Sequence, residues 1–188
     1  MSEGLKLGSY GWRHDHWQPG FYDDELPEDW QLTFYANEFN TVLVPASYLD
    51  ESRDIEQWCE DVSENFRFYI EWPQQFAATD SLLQELESMG EQLGGILLSS
   101  DIQLDTDSPV YNWHEGNNGA AIWHPDNAIK SDLAVFAIEQ YDLKQQRQWL
   151  EAFMEDSGGR GRAVLLSDAV LDIEDLRELK TLIELKGF

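Results

Sequence analysis

The sequence predicts an α/β fold, specifically a reduced or irregular TIM-type barrel of parallel strands with crossover helices. Short apolar runs alternate along the chain with segments of helical periodicity. This alternation is typical of parallel strands that are joined by crossover helices. The chain has 188 residues, whereas a complete eightfold barrel usually needs about 250. A shortened barrel accounts for both observations.

Seven apolar runs are the candidate strands. They cover residues 5–12, 41–46, 66–72, 95–99, 120–123, 133–138 and 162–167. No internal repeat, low-complexity tract or linker interrupts them. We therefore expect one domain over residues 1–188.

Helices are predicted between these runs by apolar residues that repeat every three to four positions. The repeats are Ile55, Trp58, Cys59 and Val62, then Leu82, Leu86, Met89 and Leu93, and finally Leu176, Leu179 and Ile183. Asp172 has the chemistry of an N-cap for the last helix. Pro27 suits the first turn of a helix that runs through Trp30 and Phe34.

The shortage of residues is predicted to lie between positions 101 and 132. That stretch holds one weak strand and no helical repeat, and residues 105–109 and 116–119 have the composition of turns. We expect an irregular insert that replaces a strand–helix unit.

The charge of the chain is strongly acidic and unevenly distributed. The formal net charge is −25, and no Lys or Arg occurs from residue 68 to residue 129. Such a surface repels phosphate backbones and anionic lipids, so direct binding of nucleic acid or membrane is not expected. Two interpretations remain open: simple solubility, or an acidic face for a protein partner with a basic surface.

The expected location is the cytoplasm. Cys59 is the only cysteine, so an intrachain disulfide is impossible, and it is interpreted as a small buried apolar residue. No apolar run approaches the length of a membrane span, and no leader is evident.

Two pairs of histidines are candidates for a site. His14 and His16 follow the first strand and, on an extended segment, point the same way, as zinc ligands would; Glu139 or Asp168 is a possible third ligand. A hydrogen-bonded loop beside Trp17 is the other interpretation. Around a turn, Trp113-His114-Glu115 and Trp123-His124-Pro125-Asp126 suit either a sugar or cationic ligand, or core packing.

The first hundred residues resemble the YecE-like family of unknown function. The matching residues include Gly8-Ser9-Tyr10-Gly11-Trp12, Trp17, Phe21-Tyr22, Phe39-Asn40-Thr41-Val42, Phe66-Arg67-Phe68 and Leu93-Gly94-Gly95-Ile96-Leu97-Leu98. The resemblance implies an irregular TIM-type barrel. Residues 133–153 and 162–183 are placed on the last two strand–helix units by order and pattern.

Several positions depart from the family's pattern. The family usually has glutamate at Leu43, lysine at Glu71 and glutamine at Ser99, and arginine and histidine at Ala137 and Glu139. The resemblance therefore implies a barrel that has lost the polar residues at the carboxyl ends of its strands, where barrel sites assemble.

The leading hypothesis is a non-catalytic binding or adaptor protein that recognises a basic protein partner. The expected contact face is the base-free middle section or the segment from Trp113 to Asp126. No cofactor or metal is expected. The alternatives are a metal-dependent hydrolase with a reworked site, and an acidic mimic of nucleic acid. The candidate pocket residues are Tyr10, Trp12, His14, His16, Trp17, Glu71, Trp123, His124, Glu139 and Asp168.

Overall fold

The computed structural model describes residues 4–74, 81–113, 119–127, 129–137, 142–167 and 171–188. In these parts of the chain, eight strands pair only in parallel. They are β1 (Lys6–Ser9), β2 (Thr41–Val44), β3 (Arg67–Glu71), β4 (Leu93–Leu98), β5 (Val110–Asn112), β6 (Ala120–Ala121), β7 (Leu133–Phe136) and β8 (Ala163–Leu166). The predicted α/β class with parallel strands is confirmed.

The strands form two sheets, ordered β1-β8-β7 and β2-β3-β4-β5-β6. Where the structure describes the chain, no continuous ladder joins the two sheets into a closed barrel. Instead, one parallel bridge links Tyr10 after β1 to Leu43 in β2, and another links Trp123 after β6 to Ala134 in β7. The strands therefore follow one another around an irregular ring that has two weakly paired seams.

Among the described residues, the α-helices around the ring are α1 (Glu28–Ala36), α2 (Ile55–Glu60), α3 (Ser81–Glu87), α4 (Leu143–Asp156) and α5 (Ile173–Lys186). The predicted cap of α5 is confirmed, because the Asp172 carboxylate accepts a 3.0 Å hydrogen bond from the amide of Glu174. Three boundaries differ from the expectation. Pro27 caps α1 instead of lying in its first turn, Val62 lies beyond α2, and Leu93 begins β4 instead of ending a helix.

Between residues 101 and 132, the described residues form two strands, β5 and β6, where one was expected. No strand was predicted at β5, since its three residues are too few for a periodic pattern. The described residues between β4 and β7 form no helix. In the described residues, short strands therefore connect β4 to β7 without a crossover helix.

Apolar side chains form two layers on either side of the strands. Inside the ring, a layer of buried residues comes from the strands and from the position after β6. These residues are Leu43, Tyr69, Leu97, Tyr111, Ile122, Leu133, Val135, Ala163 and Leu165. The larger outer layer packs the opposite strand faces against the helices. Side chains of a strand alternate between its faces, so buried strands of this kind read as continuous apolar runs.

The seam between β1 and β2 is held by the side chain of Tyr35 on α1. Its hydroxyl accepts a 3.0 Å hydrogen bond from the Ser9 amide and donates a 2.9 Å bond to the Thr41 carbonyl. Gly8 lies at the same place, and a Cβ atom there would be 2.0 Å from the Thr41 oxygen. The Tyr35 hydroxyl bridges the two sheet edges, and the absence of a side chain at Gly8 lets them approach closely.

In the part of the chain that the structure describes, no helix is both long and apolar enough to cross a bilayer.

Candidate functional site

The carboxyl ends of β1 and β3 are joined by a polar pair. The Tyr10 hydroxyl donates a 2.6 Å hydrogen bond to Oε2 of Glu71, and the same oxygen accepts a 3.0 Å bond from the Ala46 amide after β2. The two residues are 61 positions apart in sequence. Their pairing brings together two of the predicted pocket residues at the end of the barrel where sites assemble.

Below this pair the interior of the ring is apolar. Leu43 is fully buried inside the ring of strands, and the side chain of Tyr10 packs against the same inner layer. At the next strand end, the Gln74 amide donates to the Ser99 hydroxyl at 3.1 Å. Ala137, which follows β7, is exposed. The described rim therefore carries the Tyr10–Glu71 pair and the Gln74–Ser99 pair above an apolar interior.

We predict that Tyr10 ionises above the ordinary tyrosine pKa of about 10. Burial first, and then the hydrogen bond and negative charge of Glu71, raise the pKa of Tyr10. Glu71→Gln removes the charge, so the pKa of Tyr10 should fall toward the ordinary value. The wild type and Glu71→Gln are each titrated by ultraviolet absorbance with and without Tyr10→Phe, and the difference isolates the Tyr10 phenol. Circular dichroism shows over which pH range the fold stays intact.

Asp105→Asn is the matched control for that titration, because it removes an exposed carboxylate elsewhere. It should leave the Tyr10 difference curve unchanged. A wild-type curve centred near the ordinary value, unaltered by Glu71→Gln, would contradict the role of the pair.

The first histidine pair lies at a 3-10 turn, Asp15–Trp17, with His14 directly before it and His16 within it. The Trp17 amide donates a hydrogen bond to the His14 carbonyl and closes the turn. The ring centroids of His14 and His16 are 5.3 Å apart, and the His14 ring lies 4.1 Å from that of Trp17. His16 Nε2 is 2.8 Å from the carbonyl oxygen of Leu171, which also accepts from the Trp17 indole. The backbone turns here, so the extended conformation that would point both rings the same way is not present.

This geometry limits what His16 can bind. A carbonyl oxygen only accepts hydrogen bonds, so Nε2 of His16 carries the proton and offers no lone pair to a metal ion. Within the described residues, no three His, Cys, Asp or Glu side chains are grouped as metal ligands. The proposed third ligands, Glu139 and Asp168, lie outside the described residues.

The second group of candidates is divided between the core and a loop. Trp123 is 1% exposed, packs against Phe136 and Phe153, and donates a 2.8 Å hydrogen bond to Asp156. His124 is half-buried in the following turn, where its amide donates to Asn127. His114 and Glu115 lie outside the described residues. The structure therefore does not bring the Trp123 indole to the rim beside Tyr10.

A groove of about 650 Å³ lies between α1 and α2. Three tryptophans line it: Trp12, Trp30 and Trp58. The Trp12 and Trp58 rings are buried and meet edge to face at 5.3 Å. Trp30, by contrast, is 64% exposed. We call this feature the acidic groove, because its polar lining is dominated by carboxylates.

Four carboxylates and one base line the acidic groove: Glu28, Asp29, Asp54, Asp61 and Arg13. The Arg13 guanidinium lies over two rings, 5.5 Å from the centroid of Trp12 and 4.9 Å from that of Tyr48. The groove thus already holds one cation against an aromatic face. Its negative lining and its tryptophans suit a further cationic group.

Among the predicted pocket residues that the structure describes, Trp12 alone lines this groove. The sequence did contain a signal at its edge, namely a tryptophan directly after Glu28-Asp29 in the first turn of a helix. A tryptophan in an amphipathic helix is usually taken as core, so exposure of Trp30 was not foreseen.

Comparison with known proteins gives a consistent picture of the fold. The family model described as "Protein of unknown function DUF72" matches residues 6–118. A DUF72 family protein from Thermotoga maritima MSB8 superimposes with a TM-score of 0.69 at 13% identity, over 96% of this chain and 99% of that chain. No curated protein matches the sequence.

A DUF72 family protein from Enterococcus faecalis V583 matches in two crystal structures. The TM-scores are 0.58 and 0.59 at identities of 14% and 13%, and each match covers 96% of this chain and 98% or 95% of the other. At such identities the likeness shows the fold.

Proposed function

Because this chain belongs to the DUF72 family, the YecE-like family that its first half resembles, and that family has no known function, we propose a function from the chain's own residues. We propose that it is a non-catalytic binding protein that recognises an arginine-bearing segment of a protein partner. The acidic groove is the binding site. The observation that carries the proposal is the exposed Trp30 beside four groove carboxylates.

The rim of the barrel supports binding over catalysis. Leu43 and Glu71 stand where the family usually has glutamate and lysine, and Leu43 is fully buried. The remaining carboxylate is already engaged by the Tyr10 hydroxyl and the Ala46 amide. General acid–base chemistry needs a group within reach of a substrate proton. A carboxylate occupied by two protein donors is poorly suited to that work.

The acidic groove favours arginine over other cationic groups. A guanidinium stacks on an aromatic face and at the same time donates paired hydrogen bonds to a carboxylate. The groove offers both kinds of partner. Trp30 and Asp29 are on α1, and Asp61 lies at the end of α2. The surrounding charge of −25 attracts a basic segment from a distance.

The proposal is tested with a short synthetic peptide of alternating arginine and alanine. Calorimetry at about 0.15 M salt, where charges are screened beyond about 8 Å, should show saturable binding. Its citrulline counterpart keeps the shape and loses the charge, so it should not bind. Trp30→Ala should weaken the arginine peptide about tenfold, the loss expected for one well-placed cation–π contact together with its neighbouring contacts.

A matched pair of double variants separates the groove from general electrostatics. Asp29→Asn with Asp61→Asn removes two charges from the groove, whereas Asp105→Asn with Asp107→Asn removes two from the base-free middle section. Only the first pair should weaken binding about tenfold. Equal losses from both pairs would reject the groove as the site, and a greater loss from the second pair would transfer the proposal to the middle section.

A further inference from the structure

An exposed apolar surface on α1 borders the acidic groove. Within the described residues, the exposed large apolar side chains are Trp30, Phe34, Leu143 and Leu185. Leu143 and Leu185 are on different helices, α4 and α5, and single exposed apolar residues of this kind are normal. Trp30 and Phe34, by contrast, are one helical turn apart on α1, and Trp30 also lines the groove. We call these two side chains together the aromatic ledge.

The side chain of Phe34 is held in place by the core beside it. Its ring meets the ring of Phe21 edge to face at 5.3 Å and the ring of Tyr22 at 5.8 Å. Both of those rings are buried, whereas Phe34 is 41% exposed. An aromatic side chain that is already held in place loses little conformational entropy when a partner covers it, so it suits an interface.

The charge around the aromatic ledge is acidic. Exposed carboxylates precede Trp30 in the chain, and these are Asp23, Asp24, Glu25, Glu28 and Asp29. No Lys or Arg occurs from residue 14 to residue 52. From α5, the Arg177 guanidinium lies 5.4 Å from the centroid of the Phe21 ring, and it is paired with Glu38 and Glu174. The ledge is therefore complementary to a segment that has basic as well as apolar residues.

The secondary structure beside the ledge favours a helical partner segment. The groove lies between two helices, α1 and α2, which offer no strand edge, so an extended segment would gain no ladder of backbone hydrogen bonds there. A helical segment satisfies its own backbone and presents side chains four residues apart on one face, with about 5–6 Å between their Cβ atoms. Trp30 and Phe34 have the same spacing on α1.

We propose that the aromatic ledge binds the apolar face of a basic amphipathic helix of the partner, in which an arginine and an aliphatic residue lie four positions apart. The arginine enters the acidic groove at Trp30, and the aliphatic side chain packs on Phe34. This inference rests on the proposed function, because it gives the arginine-bearing segment a helical conformation and a second anchor. The second anchor adds apolar contact that charge attraction does not supply.

Two helical peptides of identical composition test the ledge. Each has one arginine and two leucines in a background of alanine and glutamine. In the aligned peptide the leucines lie four residues before and after the arginine, so both orientations of the helix present the two side-chain types on one face; in the misaligned peptide they lie two residues away. Calorimetry of the full chain should show the aligned peptide binding about fivefold to tenfold more tightly, the gain expected when one leucine is partly buried.

Two variants of Phe34 separate apolar contact from charge. Phe34→Ala should remove the preference for the aligned peptide. Phe34→Glu should remove it too, although its added carboxylate should keep or strengthen binding of the alternating arginine–alanine peptide. Leu185→Ala is the matched control, because that side chain is 81% exposed on α5 and does not line the groove, so it should leave the preference unchanged. Circular dichroism checks the fold of each variant, and the comparison on the wild type needs no variant.

Equal affinities of the two peptides for the wild type, or a preference that survives both Phe34 variants, would overturn the inference. If the alternating arginine–alanine peptide still bound and its citrulline counterpart did not, the proposed function would stand without it. An aligned peptide with citrulline in place of arginine that bound as tightly would reject the proposed function instead. A dimer in light scattering that Phe34→Glu dissociates would assign the ledge to a second copy of the chain and also overturn the inference.

Discussion

Replacement of Gly8 by alanine is expected to destabilise the protein by about 3 kcal/mol or more, within the upper range for overpacked sites. The new Cβ would lie 2.0 Å from the Thr41 oxygen and 2.6 Å from its carbonyl carbon. Both atoms belong to the backbone of a neighbouring strand, so no side-chain rotation relieves the clash. The seam between the two sheets must open instead.

Urea unfolding followed by circular dichroism measures this loss. Gly20→Ala is the control, because the nearest atom to its added Cβ is 3.7 Å away, an ordinary contact. That variant should stay within about 0.5 kcal/mol of the wild type. If Gly8→Ala proved as stable as Gly20→Ala, β1 and β2 would not be packed as closely as the structure has them.

Tyr35→Phe is expected to cost about 2–3 kcal/mol of unfolding free energy. The variant keeps the buried ring and removes the hydroxyl, so the Ser9 amide and the Thr41 carbonyl lose their partner. Buried polar groups left unpaired cost about 1–3 kcal/mol each. Tyr22→Phe is the control, since Tyr22 is equally buried and its hydroxyl makes one bond, to the Trp12 carbonyl at 2.6 Å.

The pH dependence of the same comparison gives an independent check. Burial raises the pKa of Tyr35 in the folded state, while the unfolded value is about 10. The stability that the protonated phenol contributes is therefore complete below pH of about 10 and is lost as the pH rises further. The difference between wild type and Tyr35→Phe should shrink above that pH. A smaller loss than in Tyr22→Phe at neutral pH would contradict the role of Tyr35 at the seam.

The sequence was sufficient to predict most elements because their signals are local. The buried strands appear as apolar runs, and α5 appears as a repeat at Leu176, Leu179 and Ile183 behind the Asp172 cap. The resemblance to the family likewise depended on short ordered matches, and the predicted family is confirmed. The strand β5 was missed because three residues carry too little pattern to be recognised.

The candidate site was predicted only in part, for a physical reason. Tyr10 and Glu71 were named separately, yet nothing local indicates that a phenol and a carboxylate 61 residues apart form a 2.6 Å hydrogen bond. The same holds for the acidic groove, which brings Trp12, Trp30 and Trp58 together from three separate parts of the chain.

By itself, the sequence determined the α/β class, the order of most strands and helices, and the acidic charge, since these depend on composition and on spacing between near neighbours. Only the tertiary structure decided which strand ends meet and which tryptophan is exposed. Those outcomes depend on contacts between distant residues, such as Gly8 against Thr41. They arise only when parallel strands are brought into register around one ring.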